Sequence, residues 1–297
     1  MRRSILFALI LTSALFGGCD KLDREGMVLV LDSSLRAEVV LGNADGISSP
    51  DGLLWWEGTL YIADEGGSAI RAWTPGGRVR TLAEARHGLS SPEDLARDAA
   101  GNLYATDDDT GGVWRVSARG EVASVARART ATSTEGLAIS PNGTLLVGDQ
   151  RGRRILAVER GGGGGYVLLS AEAGIRKPEG LAFDDRGNLY IADNTDNTLY
   201  MLGGDGALSR PVTNRSSFSP ESLYFADGAL YITDSAHGKL FRYTTKDGLV
   251  TIAVFGGTLS NVQGITIDEM GNIYVSVQSD LTNARGYVLR LSHRPSS

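Results

Sequence analysis

Five acids and one amide recur along the chain at nearly even spacing, each just before a small or turn-forming residue and an aliphatic one. They are Asp51-Gly-Leu, Glu93-Asp-Leu, Glu135-Gly-Leu, Glu179-Gly-Leu, Glu221-Ser-Leu and Gln263-Gly-Ile, separated by 42, 42, 44, 42 and 42 residues. A second acid follows in five of the six units, as Asp64, Asp107, Asp149, Asp193 and Asp234, with Val277 in the sixth. Carboxylates that converge repel one another, so some must take up protons or pair with cations. A hard divalent ion relieves this best, since Ca²⁺ accepts six to eight oxygens in flexible geometry. With only His87, His237 and His293 in the chain, a histidine-rich transition-metal site is disfavoured. His237, in Asp234-Ser-Ala-His-Gly, is the one histidine placed to serve as a general base. No Gly-x-Ser-x-Gly elbow is present, which argues against a serine hydrolase.

The elements that position these acids follow from the repeat itself. In the fourth unit Gly180 to Asp184 is a short apolar run, followed by the turn Asp185-Arg-Gly-Asn188 and a second run, Leu189 to Ala192. Asp193 opens a polar loop, then come Thr198 to Leu202, a glycine turn and Leu208 to Val212. Four short strands joined by turns make one propeller blade. Six units predict an all-β, six-bladed β-propeller with four-stranded blades and very little helix. The sixth unit ends after its third strand, Gly286 to Leu291, so its missing strand must come from elsewhere. Arg36 to Leu41 precedes Asp51 by the same interval at which Val79 to Leu82 precedes Glu93. That N-terminal strand is therefore expected to close the last blade and cover its edge. Met27 to Leu31 also reads as a strand, either added to that blade or displacing part of it.

By repeat position, the acids that open the innermost strands form a ring at one mouth of the channel, and the second-loop acids reach the same face. The loop acids suit a structural job, accepting turn N–H groups. The ring glutamates can bind a ligand, or can accept backbone N–H groups and pair with Lys177 or Arg176. Glu93, Glu221 and Gln263 are expected to contact whatever the mouth binds.

The first residues are a targeting signal: Arg2 and Arg3, an apolar run from Ile5 to Phe16, and small residues before the single cysteine, Cys19. The run is short for a bilayer span. The segment ending in Leu15-Phe16-Gly17-Gly18-Cys19 resembles the lipobox of bacterial lipoproteins. That resemblance implies that residues 1–18 are a lipoprotein signal peptide, 19–26 a tether lipidated at Cys19, and 27–297 the propeller. The alternative is an ordinary signal peptide with an incidental cysteine. Removing residues 1–18 moves the formal charge from −6 to −8, which argues against a nucleic-acid partner. Lipid at Cys19 leaves no free thiol and tethers the fold without burying it in the membrane. The expected location is the bacterial cell envelope, facing the periplasm or exterior, with Asp20 favouring the inner membrane. A monomer is expected. Gly161 to Gly165 reads as a turn between outer strands rather than a phosphate cradle.

The unit Pro178 to Asp193 resembles an NHL repeat. Glu135-Gly-Leu-Ala-Ile-Ser-Pro-Asn-Gly-Thr-Leu-Leu-Val-Gly-Asp149, and Asp51-Gly-Leu-Leu-Trp-Trp with Leu60-Tyr-Ile-Ala-Asp64 behind it, are similar to the gluconolactonase/senescence-marker-protein family. That resemblance implies one divalent cation at the channel mouth, Ca²⁺ or another, and the opening of a small lactone or ester. It places Asp51 in the slot of the family's first-blade glutamate, Glu135 in that of an asparagine and Glu179 in that of an aspartate. Asp51, Glu135 and Glu179 are then the metal ligands, with Glu179 also the preferred base. The competing reading is a non-catalytic module whose acidic face docks a basic protein, a peptide or a glycan.

Overall fold

The computed structural model describes residues 27–127, 133–158, 165–213, 216–278 and 286–294. The expected signal peptide, Cys19, Asp20, the tether and Gly161 to Gly164 lie outside these residues. Among the described residues no helix is long and apolar enough to cross a membrane.

Six antiparallel sheets form, one per repeat. In four of them all neighbouring strands are consecutive in sequence, and in blades five and six an N-terminal strand is added at the outer edge. The inner strands are Pro50–Trp56, Pro92–Arg97, Thr134–Ile139, Pro178–Phe183, Pro220–Ala226 and Val262–Ile267. The second strand of each blade is covered on both faces by its neighbours, which is why it reads as an unbroken apolar run. All five residues of Leu189–Asp193 are buried. Outer strands such as Leu208–Val212 are half exposed and correspondingly polar. The core lies between blades: Tyr190 and Leu199 of blade four pack on Leu223, Ile232 and Phe241 of blade five. The tight turns follow from their Asp, Gly and Asn residues. Asp184 Oδ1 accepts from Arg186 N at 3.0 Å and Asn188 N at 2.8 Å, while Gly187 adopts φ 81°, the left-handed geometry glycine permits.

Blade six closes as its sequence requires. Leu35–Leu41 pairs antiparallel with Gly286–His293, with Val39 opposite Leu289, and Leu41 is buried with Trp55 and Tyr274 in the seam between blades six and one. The other N-terminal strand, Met27–Val30, adds to blade five instead. It pairs with the long outer strand Gly248–Gly256, placing Met27 opposite Gly256 and Val28 opposite Phe255. Val28 is buried against Phe255 and Leu259 there, and the added strand shields an edge that would otherwise be open.

Candidate functional site

Every inner strand is bulged at its acid. Pro50 lies opposite Asp64 but Leu53 lies opposite Ile62, so Asp51 and Gly52 together face one partner residue. The same shift falls at Pro92/Leu95, Thr134/Leu137, Pro178/Leu181, Pro220/Leu223 and Val262/Ile265. A bulge re-aims the side chain it carries. Here it turns Asp51, Glu93, Glu135, Glu179 and Glu221 into a central cavity of about 20 Å³. In the four blades that have it, the following glycine is required because the strands crowd. A Cβ on Gly136 would stand 1.8 Å from the Glu179 carbonyl oxygen, and one on Gly52 2.4 Å from that of Glu93. Blade two places Asp94 at this position. Its Oδ1 accepts from Leu95 N at 2.8 Å and its Oδ2 from Leu137 N of blade three at 2.9 Å.

The residue just after each loop acid interleaves with the ring, and it divides the mouth into two arcs. On one arc it is an amide or hydroxyl. Gln150 Nε2 donates to Glu135 at 2.9 Å and reaches Glu179 at 3.5 Å. Asn194 Nδ2 donates to Glu179 at 2.9 Å and Glu221 at 3.2 Å, and Ser235 Oγ donates to Glu221 at 2.6 Å. Lys177 Nζ adds an ion pair with Glu179 at 2.5 Å. On the other arc the position holds Glu65 and Asp108. Asp51, Glu65 and Glu93 have carboxylate oxygens all within 4.8 Å of one another. Gln278 Nε2 donates to Asp51 at 3.1 Å and Glu65 at 3.0 Å, and Ser91 Oγ lies 3.0 Å from Glu93. No basic side chain lines the cavity.

Proton affinities follow from this crowding. Burial first, then the charges of Glu221 and Glu135, hold the Asp51 carboxyl well above its ordinary range. Burial, then Asp51 and Glu65, do the same to Glu93, and burial with Glu179 and Glu93 to Glu135. Glu221 is raised by burial, opposed by Ser235 and Lys177. Glu179 is pushed up to about 8 by burial and Glu221, even with Lys177 beside it. Burial works against the Lys177 charge, but Glu179, Glu221 and Glu135 outweigh it and raise its affinity for the proton. Burial lifts Asp94 to about 6.

The structure thus brings Asp51, Glu93, Glu135, Glu179 and Glu221 to one cavity, as the repeat positions require. Among the described residues the trio that approaches to one-ion spacing is Asp51, Glu65 and Glu93. The expected ligands Glu135 and Glu179 lie further round the ring, with the Gln150 amide between them. Gln263 is not among the residues lining the cavity, and its amide donates to Asn261 Oδ1 at 2.9 Å. His237 is held on the loop acid, with Nδ1 2.9 Å from Asp234 Oδ1, and does not line the cavity. The loop acids serve the turns. Asp64 is fully buried and accepts from Ser48 N and Ser49 N, both at 2.9 Å, and from Arg71 Nε at 3.0 Å. Glu65, Gln278 and Asp94 are the site residues that an alignment on the first acid alone passes over. Aligning on the position after the loop acid finds the first two.

A family model described as "Strictosidine synthase-like, N-terminal" matches residues 79–116. No curated protein sequence matches the chain significantly. Among solved structures, the chain is similar to a gluconolactonase from Xanthomonas campestris, with 18% identity, TM-score 0.67 and coverage of 90% of each chain. A calcium-binding protein, regucalcin, from Agrobacterium tumefaciens aligns at 17% identity and TM-score 0.67, over 83% of this chain and 90% of that one. A virginiamycin B lyase from Staphylococcus aureus aligns at 14% identity and TM-score 0.65, over 88% and 100%. At these identities the likeness is one of fold.

Proposed function

We propose that the mouth holds a divalent cation on the blade one–two arc and that the protein opens a small lactone or ester above it. The observation that carries this reading is the trio Asp51, Glu65 and Glu93, three carboxylates at one-ion spacing, two of which, Asp51 and Glu93, also line the central cavity. The donor set fits a hard ion: three carboxylates offer up to six oxygens, within the range Ca²⁺ takes, and no histidine or cysteine lines the cavity. A space of about 20 Å³ admits one ion or one water and no lactone ring. Substrate would therefore approach from the solvent side and rest on the ring. A bound divalent ion would supply Lewis acidity toward a carbonyl and toward water. Glu179, with its proton affinity brought to about 8, would accept a proton at its carboxylate and return it to the leaving oxygen. Lys177 and Asn194 hold that carboxylate in place. A gluconolactonase and a calcium-binding protein stand among the fold relatives, in agreement with this reading.

The test is calorimetric titration with Ca²⁺, Mg²⁺ and Mn²⁺, followed by a lactone panel with and without chelator. Saturable binding and turnover that Glu179→Ala abolishes are expected. No saturable divalent binding, or equal turnover by Glu179→Ala and the parent, would sink it.

A second reading draws on the same small cavity. The tip of a lysine side chain also fits, so the mouth could dock a basic protein or peptide. Its mark is salt-sensitive binding that survives chelation and is lost on charge reversal at Glu93 or Glu221. For location, the proposal is lipid attachment at Cys19. Met27 lies opposite Gly256, which leads to the inner strand of blade six at the mouth face. Eight residues of chain, at most about 28 Å, would then hold the mouth toward the bilayer. Labelling with a radioactive or clickable fatty acid, lost in Cys19→Ala, checks it.

A further inference from the structure

We infer that the face opposite the mouth carries a second binding site, built for a small organic ammonium ion with an apolar body. The inner strands of blades five, six and one end there, Trp56 lying five residues beyond Asp51, or about 17 Å along the strand. Blades one and five turn back at once, through Glu57-Gly58 with φ 46° and 74° and Asp227-Gly228 with φ 49° and 72°. Two successive positive φ values mark the tight primed hairpin turn. Blade six makes the longer turn Asp268 to Asn272 between them. The three ends line an open cleft of about 410 Å³, within the size range of small-molecule sites.

Its floor is aromatic and fixed. Trp55 stacks on Tyr274 with centroids 5.0 Å apart and planes 16° apart, and its Nε1 donates to Glu269 Oε2 at 2.5 Å. Trp56 and Tyr224 complete it, and the Arg97 guanidinium, outside the lining, lies 5.6 Å from the Trp56 ring centroid. That ring already accepts one cation. The exposed rim carries Glu57, Asp227 and Glu269, none of which forms an ion pair among the described residues, and no basic side chain lines the cleft. Asp268 is occupied by its own turn, accepting from Met270 N at 3.0 Å and Asn272 N at 2.8 Å.

The combination selects the ligand. An anion meets three negative charges, a bare metal ion gains little from an aromatic floor, and a neutral sugar gains nothing from the net charge of the rim. An organic ammonium uses both features, its hydrocarbon lying on the rings and its charge among the carboxylates.

The probes are n-butylammonium, its neutral counterpart n-butanol, and glucose, titrated into the full chain at low salt. Indole fluorescence reads Trp55 and Trp56, and ligand-observed NMR confirms contact. Saturable binding of n-butylammonium alone is expected. Binding should weaken at least tenfold in Glu57→Gln/Asp227→Asn, and persist in Glu93→Gln and with Ca²⁺ present. Asparagine tolerates the left-handed conformation at 227, so the double variant keeps its turn. If circular dichroism shows otherwise, Glu269→Gln, which retains an acceptor for Trp55, takes its place. Equal binding of n-butanol or glucose, undiminished binding by the charge variants, no saturation, or loss of binding only in Glu93→Gln would each overturn the inference. The last outcome would place the ammonium at the mouth instead, and leaves the reading of the mouth as a metal site to its own titration.

Discussion

The two arcs of the mouth are built from one repeat and one bulged backbone, yet they solve the same electrostatic problem in opposite ways. From blade three to blade five, Gln150, Asn194, Ser235 and Lys177 each give a donor to a ring glutamate. From blade six to blade two, Glu65 and Asp108 put more negative charge between the ring acids, and Gln278 is left to serve both Asp51 and Glu65. Two carboxylates at about 5 Å repel by roughly 3 kcal/mol at an effective dielectric near 20. A hydrogen bond to a charged group returns about 1.5–3 kcal/mol. Amides and a lysine can therefore offset the repulsion on one arc. On the other a proton or a cation must do so. One side chain per blade, just after the loop acid, decides which.

The largest effect expected from this contrast is on cation binding. Glu93→Gln removes one of three close carboxylates and should weaken Ca²⁺ binding by roughly 10- to 100-fold, the equivalent of about 1.5–3 kcal/mol. Glu221→Gln, on the amide arc, should change it little. Isothermal titration of both variants measures the ratio, and equal losses would erase the distinction between the arcs. A smaller effect comes from exchanging their chemistry in chelator. Glu65→Gln relieves repulsion and should raise Tm by about 2 °C, on the scale of 1 kcal/mol for a chain of this size. Gln150→Glu puts a third carboxylate between Glu135 and Glu179 and should lower Tm by a similar amount. Added Ca²⁺ should restore the second variant. Shifts of the same sign would break the comparison.

How far these arcs can be read from sequence depends on which residue anchors the alignment. The blades are legible because acid, small residue and aliphatic recur with nearly constant spacing, and because the apolar second strands reflect burial on both faces. Ring closure by Arg36 to Leu41 follows from the same spacing. The ring acids are legible too, since one backbone register aims all of them. What the pattern hides is anything that depends on contact across blades. Asp94 reads as an exception to glycine, and only the structure shows its carboxylate taking the Leu137 N–H of the next blade. Glu65 reads as one more loop acid until the channel brings it beside Asp51 and Glu93. Met27–Val30 reads as a strand without an address, because sheet edges are chosen by geometry and Gly248–Gly256 happens to be the longest.

The smallest expected effect separates burial from repulsion through pH. Asp94 rises from an ordinary 3.8 to about 6 and Glu179 from 4.5 to about 8. A carboxyl whose proton affinity is raised by folding stabilises the fold while protonated, and that stability is lost as pH climbs through the folded value. In chelator, Tm should therefore fall from about pH 4 to 6 as Asp94 ionises, and continue to fall toward pH 8 as Glu179 and its neighbours follow. Asp94→Asn should lower Tm overall, since one of two N–H donors loses its acceptor, but should flatten only the lower part of the curve. Saturating Ca²⁺ should flatten the share of the fall that comes from Asp51 and Glu93, because the ion stabilises ionised acids on their arc, and should leave the Glu179 share in place. A melting temperature that stays constant between pH 5 and 8 without metal would mean that the carboxylate arc is already relieved by something other than protons or a cation.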